Sequence, residues 1–136
     1  MRIMIDTNVL LSAVVFPNPK MTGLIEKVTT GHSLVLCSHI IEEIHDVINR
    51  KFQDKKDFLE KFLSKLTYDF VYTPTDINPK NYPEIRDKDD LPILVSALTE
   101  SVDLIITGDE DFFDIKAASV ELPIIMTPRK FMEEFM

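Results

Sequence analysis

The spacing of apolar residues along this chain changes repeatedly, and each change marks an element. Residues 2–5 form a short apolar run, the length of a buried strand. Residues 7–15 continue at once with a helical pattern, punctuated by Pro17 and Pro19. Leu24, Ile25 and Val28 place a second helix over 20–30, closed by Gly31. Leu34, Val35 and Leu36 predict a second buried strand. Ile40, Ile41, Ile44, Val47, Ile48 and Phe52 recur at helical spacing, as do Phe58, Leu59, Phe62, Leu63 and Leu66 on the next helix. A strand follows over 68–72. Residues 73–89 have no period and are rich in Pro, Asn and Asp, which predicts a long loop. A helix over 91–100, a strand over 104–107, a short helix over 110–115 and a strand over 124–126 continue the alternation. Pro128 opens a terminal helix carrying Phe131, Met132 and Phe135.

Short apolar strands separated by helices predict an α/β fold, a parallel sheet covered on both faces. No repeat, low-complexity tract or linker composition interrupts the chain, so residues 1–136 are expected to form one domain. In such sheets ligands collect beyond the carboxyl ends of the strands. Acidic residues fall at that edge. Asp6 directly ends the first strand, and Asp109 and Asp111 follow the strand over 104–107. Asp90 opens the helix over 91–100, and Glu42 and Glu43 occupy the first turn of the helix near Ile40. At about 100° per residue, Glu43 lies beside Val47 at the rim of its helix's apolar face, with Glu42 nearer solvent. By the same phase Asp90 falls between Leu94 and Ala97, while Asp89 points away. Glu43 and Asp90 are therefore favoured over Glu42 and Asp89.

Taken singly, each acid has an ordinary explanation. Asp at a strand-to-helix junction caps free backbone N–H groups, and Glu in a first turn suits the helix dipole. Taken together they repel, and each raises the pKa of the others unless a positive charge lies between them. Hard divalent cations with oxygen ligands supply that charge. Without a Cys cluster or matching His, the set points to Mg²⁺ or Mn²⁺ rather than Zn²⁺.

Composition bounds these readings. The 136 residues include 23 acidic and 15 basic side chains, a net charge of −8, which rules against holding nucleic acid mainly through broad positive charge. The single cysteine, Cys37, excludes an internal disulfide and a Cys-rich zinc site. Asp6 and Asn8 interrupt the apolar amino terminus, and the run over 9–16 is far short of the ~20 residues that span a bilayer. An intracellular, cytoplasmic protein with no membrane association is expected. Basic residues Arg50, Lys51, Lys55 and Lys56 fit solvated helix faces. Arg86 and Lys88, closer to Asp90, are the better candidates for contacting a substrate phosphate. Phe112 and Phe113, after the last acids, are expected to pack in the core.

Four motifs in order then carry a family resemblance. Ile-Asp6-Thr7-Asn8-Val-Leu, Glu43-Ile44 in an early helix, Asp90 seven residues before Ala97, and Thr107-Gly-Asp109-Glu-Asp111-Phe together resemble the PIN-domain nucleases. The likeness is greatest to the branch of toxin components of toxin–antitoxin systems, and spans nearly the whole chain. It implies a three-layer α/β/α fold with strand order 3-2-1-4-5 and a Mg²⁺- or Mn²⁺-dependent endoribonuclease. The family's acids map to Asp6, Glu43, Asp90 and Asp109, with Asp111 as an additional acid. Asn8 and Thr107 match polar positions that support the metal shell, and Asp87 is an outer-shell contributor. Relatives commonly have Ser where this chain has Cys37. A cognate antitoxin and a homodimer are implied by the resemblance alone.

The chemistry suggested is metal-assisted hydrolysis of an RNA phosphodiester. A phosphoaspartate phosphatase needs a second Asp two residues after the first, where this chain has Asn8. A receiver-type domain needs an acid ending a middle strand, and the strand over 34–36 ends without one. The alternative retained is a catalytically inactive PIN-like module that acts only through a protein partner.

Overall fold

The computed structural model describes residues 1–115 and 121–136. Strands β1 (Arg2–Ile5), β2 (Ser33–Cys37), β3 (Asp69–Val71), β4 (Leu104–Ile106) and β5 (Ile124–Met126) form one sheet, all neighbours parallel, in the order β3-β2-β1-β4-β5. Helices α1 (Thr7–Val15), α2 (Pro19–Gly31), α3 (Ser38–Lys51), α4 (Lys56–Lys65), α5 (Leu91–Thr99) and α6 (Pro128–Phe135) cover its two faces. The three-layer α/β architecture and the strand order are those expected. No helix among the described residues is long and apolar enough to cross a membrane.

The central strand explains why a continuous apolar run was needed. Ile3, Met4 and Ile5 of β1 are wholly buried, because both faces of a doubly covered parallel strand meet helices. The flanking strands β2 and β4 are likewise buried from Leu34 to Cys37 and from Leu104 to Ile106. The edges differ. On β3, Phe70 is exposed and stacks edge-on against exposed Tyr72, with ring centroids 5.0 Å apart.

Local chemistry sets the element ends. Asn18 accepts the Met21 N–H at 3.0 Å and Pro19 takes the first helical position, so α2 starts one residue earlier than periodicity alone placed it. In α4 only Leu59 is fully buried and Phe58 stays exposed, so this helix lies on the sheet by one narrow stripe. The region over 73–89 is not structureless. It holds single 3₁₀ turns at Pro79–Asn81 and Lys88–Asp90, and buried Ile85 pins its middle to the core.

The expected short helix over 110–115 is a single 3₁₀ turn, Glu110–Phe112. This corrects the reading of the two phenylalanines. Phe112 is 1% exposed, but Phe113 is 47% exposed. Adjacent residues of a three-per-turn helix point about 120° apart, so only one of them can face the sheet.

Candidate metal centre

Strand order reverses at β1, so a crevice opens beyond the carboxyl ends of β1 and β4, where ligands of open α/β sheets bind. Asp6 directly follows β1 at this edge and is 3% exposed. Its N–H donates to the Ile106 carbonyl at 2.9 Å, which ties the ends of the two strands together. One carboxylate oxygen accepts the Thr7 N–H at 2.7 Å and the other accepts the Thr107 hydroxyl at 2.8 Å. Thr107, itself fully buried, accepts the Asp109 N–H at 3.0 Å. Asp109 in turn accepts the Asp111 N–H at 2.9 Å, which folds the 3₁₀ turn after β4. A single chain of hydrogen bonds thus fixes Asp6, Asp109 and Asp111 relative to one another.

Asp6 and Asp109 do act as caps, as an ordinary reading expects. Asp90 does not. It makes no capping hydrogen bond to α5, and its Oδ2 is buried with no donor. An acceptor in that position has lost water without replacement, a cost of about 1–3 kcal/mol or more for a charged group. A cation is the partner that such an oxygen lacks.

The electrostatics point the same way. Burial pushes the Asp6 carboxyl above the usual carboxylate range, and the Glu43 and Asp109 charges push it further, against the two hydrogen bonds it receives. Asp90 is pushed up to about 8, first by burial, then by hydrogen bonding to Asp109 and by the charges of Asp109, Asp6 and Asp87. Without a cation, Asp90 keeps a proton that Asp109 accepts. Asp6, Glu43, Asp90 and Asp109 therefore all act on one small region.

Among the described residues, one trio of acids brings oxygens within 4.8 Å of one another: Asp87, Asp90 and Asp111. Asp87, expected as an outer contributor, is one of the three. The cause is the 3₁₀ turn at Lys88–Asp90, in which residues three apart eclipse, so Asp87 and Asp90 share a side. Asp111 meets Arg86, whose Nε lies 2.6 Å from its Oδ1, with the far side of the guanidinium 3.9 Å from Asp114. Lys88 stays exposed beside them.

On α3, Glu43 is half-buried and Glu42 exposed. His39, one turn earlier, places Nε2 3.8 Å from a Glu43 carboxylate oxygen, and that nitrogen is buried without a hydrogen-bond partner. Sequence reasoning passed over His39, although its four-residue spacing from Glu43 puts both on one helix face. Asn8 is exposed and only its backbone carbonyl is engaged, by Ser12. The donors gathered here are carboxylate oxygens, a set suited to hard divalent cations.

The comparisons with known proteins agree with this architecture. Residues 2–111 match the PIN domain. The uncharacterized protein MJ1680 of Methanocaldococcus jannaschii is 31% identical over 146 residues, covering 98% of this chain and 91% of the relative. Three crystal structures share the fold. VapBC2 from Rickettsia felis, bound to a DNA fragment from their promoter, superposes with a TM-score of 0.69 at 16% identity, over 93% of this chain and 98% of that one. DNA-bound VapBC from Salmonella typhimurium gives 0.68 at 13% identity, over 94% and 98%. FitAcB from Neisseria gonorrhoeae gives 0.64 at 18% identity, over 93% and 98%.

Proposed function

The chain belongs to the PIN-domain family, and from that premise we propose that it is a Mg²⁺- or Mn²⁺-dependent endoribonuclease, the toxin of a toxin–antitoxin pair. The observation that carries the metal-dependent part is the buried, donorless Asp90 Oδ2 among other carboxylates. Residues 1–136 act as one unit. Asp6, Glu43, Asp90 and Asp109 hold the cation, with Asp111 and Asp87 alongside. A cation bound there supplies Lewis acidity, lowering the pKa of a water and neutralising charge at the phosphorus and leaving oxygen.

The chain's own residues supply position. Thr107 holds Asp6 and the Asp109 backbone through one hydroxyl, so the two strand ends present a rigid pair of acids. Asp90 must give up its proton before it can bind a cation. Arg86 neutralises Asp111, and with Lys88 it offers positive charge to a phosphate on the approach to the acids. Asn8 sits at the exposed rim, where it supports the shell through water. No side chain is needed as a covalent nucleophile.

The toxin role is supported by the likeness to structures of VapBC bound to DNA. On this reading the partners are an RNA substrate, a cognate antitoxin and a second copy of the chain, and the setting is the cytoplasm. The rival is an inactive PIN-like module that acts through a protein partner alone. Cleavage of RNA by the wild-type chain and by Asp6→Asn and Asp90→Asn, each with Mn²⁺, Mg²⁺ and chelator, separates the two. Metal-dependent cleavage lost in both variants supports the enzyme. Equal activity in wild type and variants, or none in the wild type at saturating metal, supports the rival.

A further inference from the structure

Beside the acids lies a hollow of about 670 Å³, formed by residues 79–91 together with Asp114. Its size is within the range of about 300–1,000 Å³ typical of small-molecule sites. The floor is apolar, with buried Ile85 and Leu91, and Tyr82 stands half-buried in the wall. Three cations, Lys80, Arg86 and Lys88, and two carboxylates, Glu84 and Asp114, line it. Arg86 is engaged by Asp111. Neither Lys80 nor Lys88 has a carboxylate within 4.0 Å among the described residues.

The hollow joins the acid cluster at two points. Leu91 in its floor directly follows Asp90, and Arg86 in its wall contacts Asp111. We propose that this hollow is the nucleobase subsite of the enzyme, seating the base next to the scissile phosphate of a single-stranded RNA against Tyr82. Lys80 and Lys88 then pair with the backbone phosphate of that nucleotide. The inference rests on the ribonuclease reading above and adds to it where the substrate lies.

Three physical points favour this occupant. Stacking of a base on an aromatic ring is sequence-tolerant and suits a wall made of Tyr82 and prolines. Two lysines without carboxylate partners at the mouth of an apolar hollow, in a chain of net charge −8, complement a phosphate. The placement also explains why the segment over 73–89 is long. Ile85 pins its middle to the core while its polar residues rim the hollow.

Three measurements on wild type, Tyr82→Ala, Tyr82→Phe and Lys80→Gln/Lys88→Gln test it. The first is binding of a fluorescein-labelled single-stranded RNA with Ca²⁺ in place of the active metal. The second repeats it with an abasic ribose-phosphate strand of equal length. The third is Mn²⁺-dependent hydrolysis of bis(p-nitrophenyl) phosphate, a diester with no base. We expect Tyr82→Ala to weaken RNA binding about tenfold, Tyr82→Phe to retain it, and neither to alter binding of the abasic strand. The double lysine variant weakens both strands. RNA affinity unchanged by Tyr82→Ala, or lost equally for RNA and the abasic strand, overturns the proposal. Failure of the ribonuclease reading shows separately, as no Mn²⁺-dependent hydrolysis of bis(p-nitrophenyl) phosphate by the wild type.

Discussion

Replacing Asp90 by Asn removes a charge and keeps the shape, which makes it the sharpest probe of the acid cluster. In the folded chain this carboxyl holds its proton up to about pH 8, against about 3.9 in an unfolded chain. Between those values the folded state binds more protons than the unfolded one, so stability falls as pH rises through that window and stays low above it. A difference of about four pH units sets an upper bound of about 5–6 kcal/mol. Asp90 is only half-buried, and solvent screening of such a group leaves about 1–2 kcal/mol. For a chain of this size that is roughly 3–8 °C in melting temperature. Thermal unfolding of wild type and Asp90→Asn in chelator, followed by circular dichroism from pH 5 to 9, measures it. The variant should melt higher at pH 9 and the gap should close toward pH 5. Saturating Mn²⁺ should reverse the order, since only the wild type gains binding energy. A variant destabilised equally at every pH would mean that Asp90 is a structural residue of α5, and the metal-centre argument would lose its main support.

Three other outcomes follow from the same geometry. Cation binding must displace the Asp90 proton, so apparent affinity should rise up to about tenfold per pH unit below about pH 8, with proton release visible by calorimetry in buffers of different ionisation enthalpy; a pH-independent affinity would refute this. Thr107→Val leaves an Asp6 oxygen and the Asp109 N–H unpaired in a buried site, which should cost about 2–4 kcal/mol in urea denaturation and lower cleavage in parallel; near-wild-type stability would mean water replaces the hydroxyl. Phe112→Ala should cost about 3–5 kcal/mol and Phe113→Ala under about 0.5 kcal/mol, and equal losses would contradict the 3₁₀ turn that separates them.

The fold was legible because every buried strand of this sheet announces itself. Ile3, Met4 and Ile5 have no polar neighbour until Asp6, and the switch from apolar strand to Asp marks both the end of β1 and the start of the crevice. Helical phase likewise separated Glu43 from Glu42, because α3 is regular across that turn. What escaped lies in non-periodic backbone. Asp87 was named, but the trio it forms with Asp90 and Asp111 depends on a 3₁₀ turn, whose three-residue repeat leaves no apolar trace in Asp-Lys-Asp-Asp. Phe113 was misplaced for the same reason. The hollow was invisible because it is built from one irregular segment folded back on the core at Ile85, and no spacing rule relates Tyr82 to Asp111. His39 was a missed signal rather than a hidden one.

These local facts also change what the net charge of −8 means for the substrate. Asp6, Glu43, Asp90, Asp109 and Asp111 account for five of the acids, and without them the balance is −3. The acidity is therefore concentrated at one sheet edge, where burial, then the hydrogen bond to Asp109 and the neighbouring acids, keep Asp90 protonated to about pH 8. Such a cluster is electrostatically unfavourable on its own, and a divalent cation relieves it more effectively than Arg86 can, because Arg86 reaches only Asp111 and Asp114. On the proposed reading, a cation bound there lowers the repulsion that this edge offers a phosphodiester. Lys80, Arg86 and Lys88 line the same hollow as Tyr82, where we place the base. An acidic protein and a polyanionic substrate are compatible here because the repulsion sits where the cation goes.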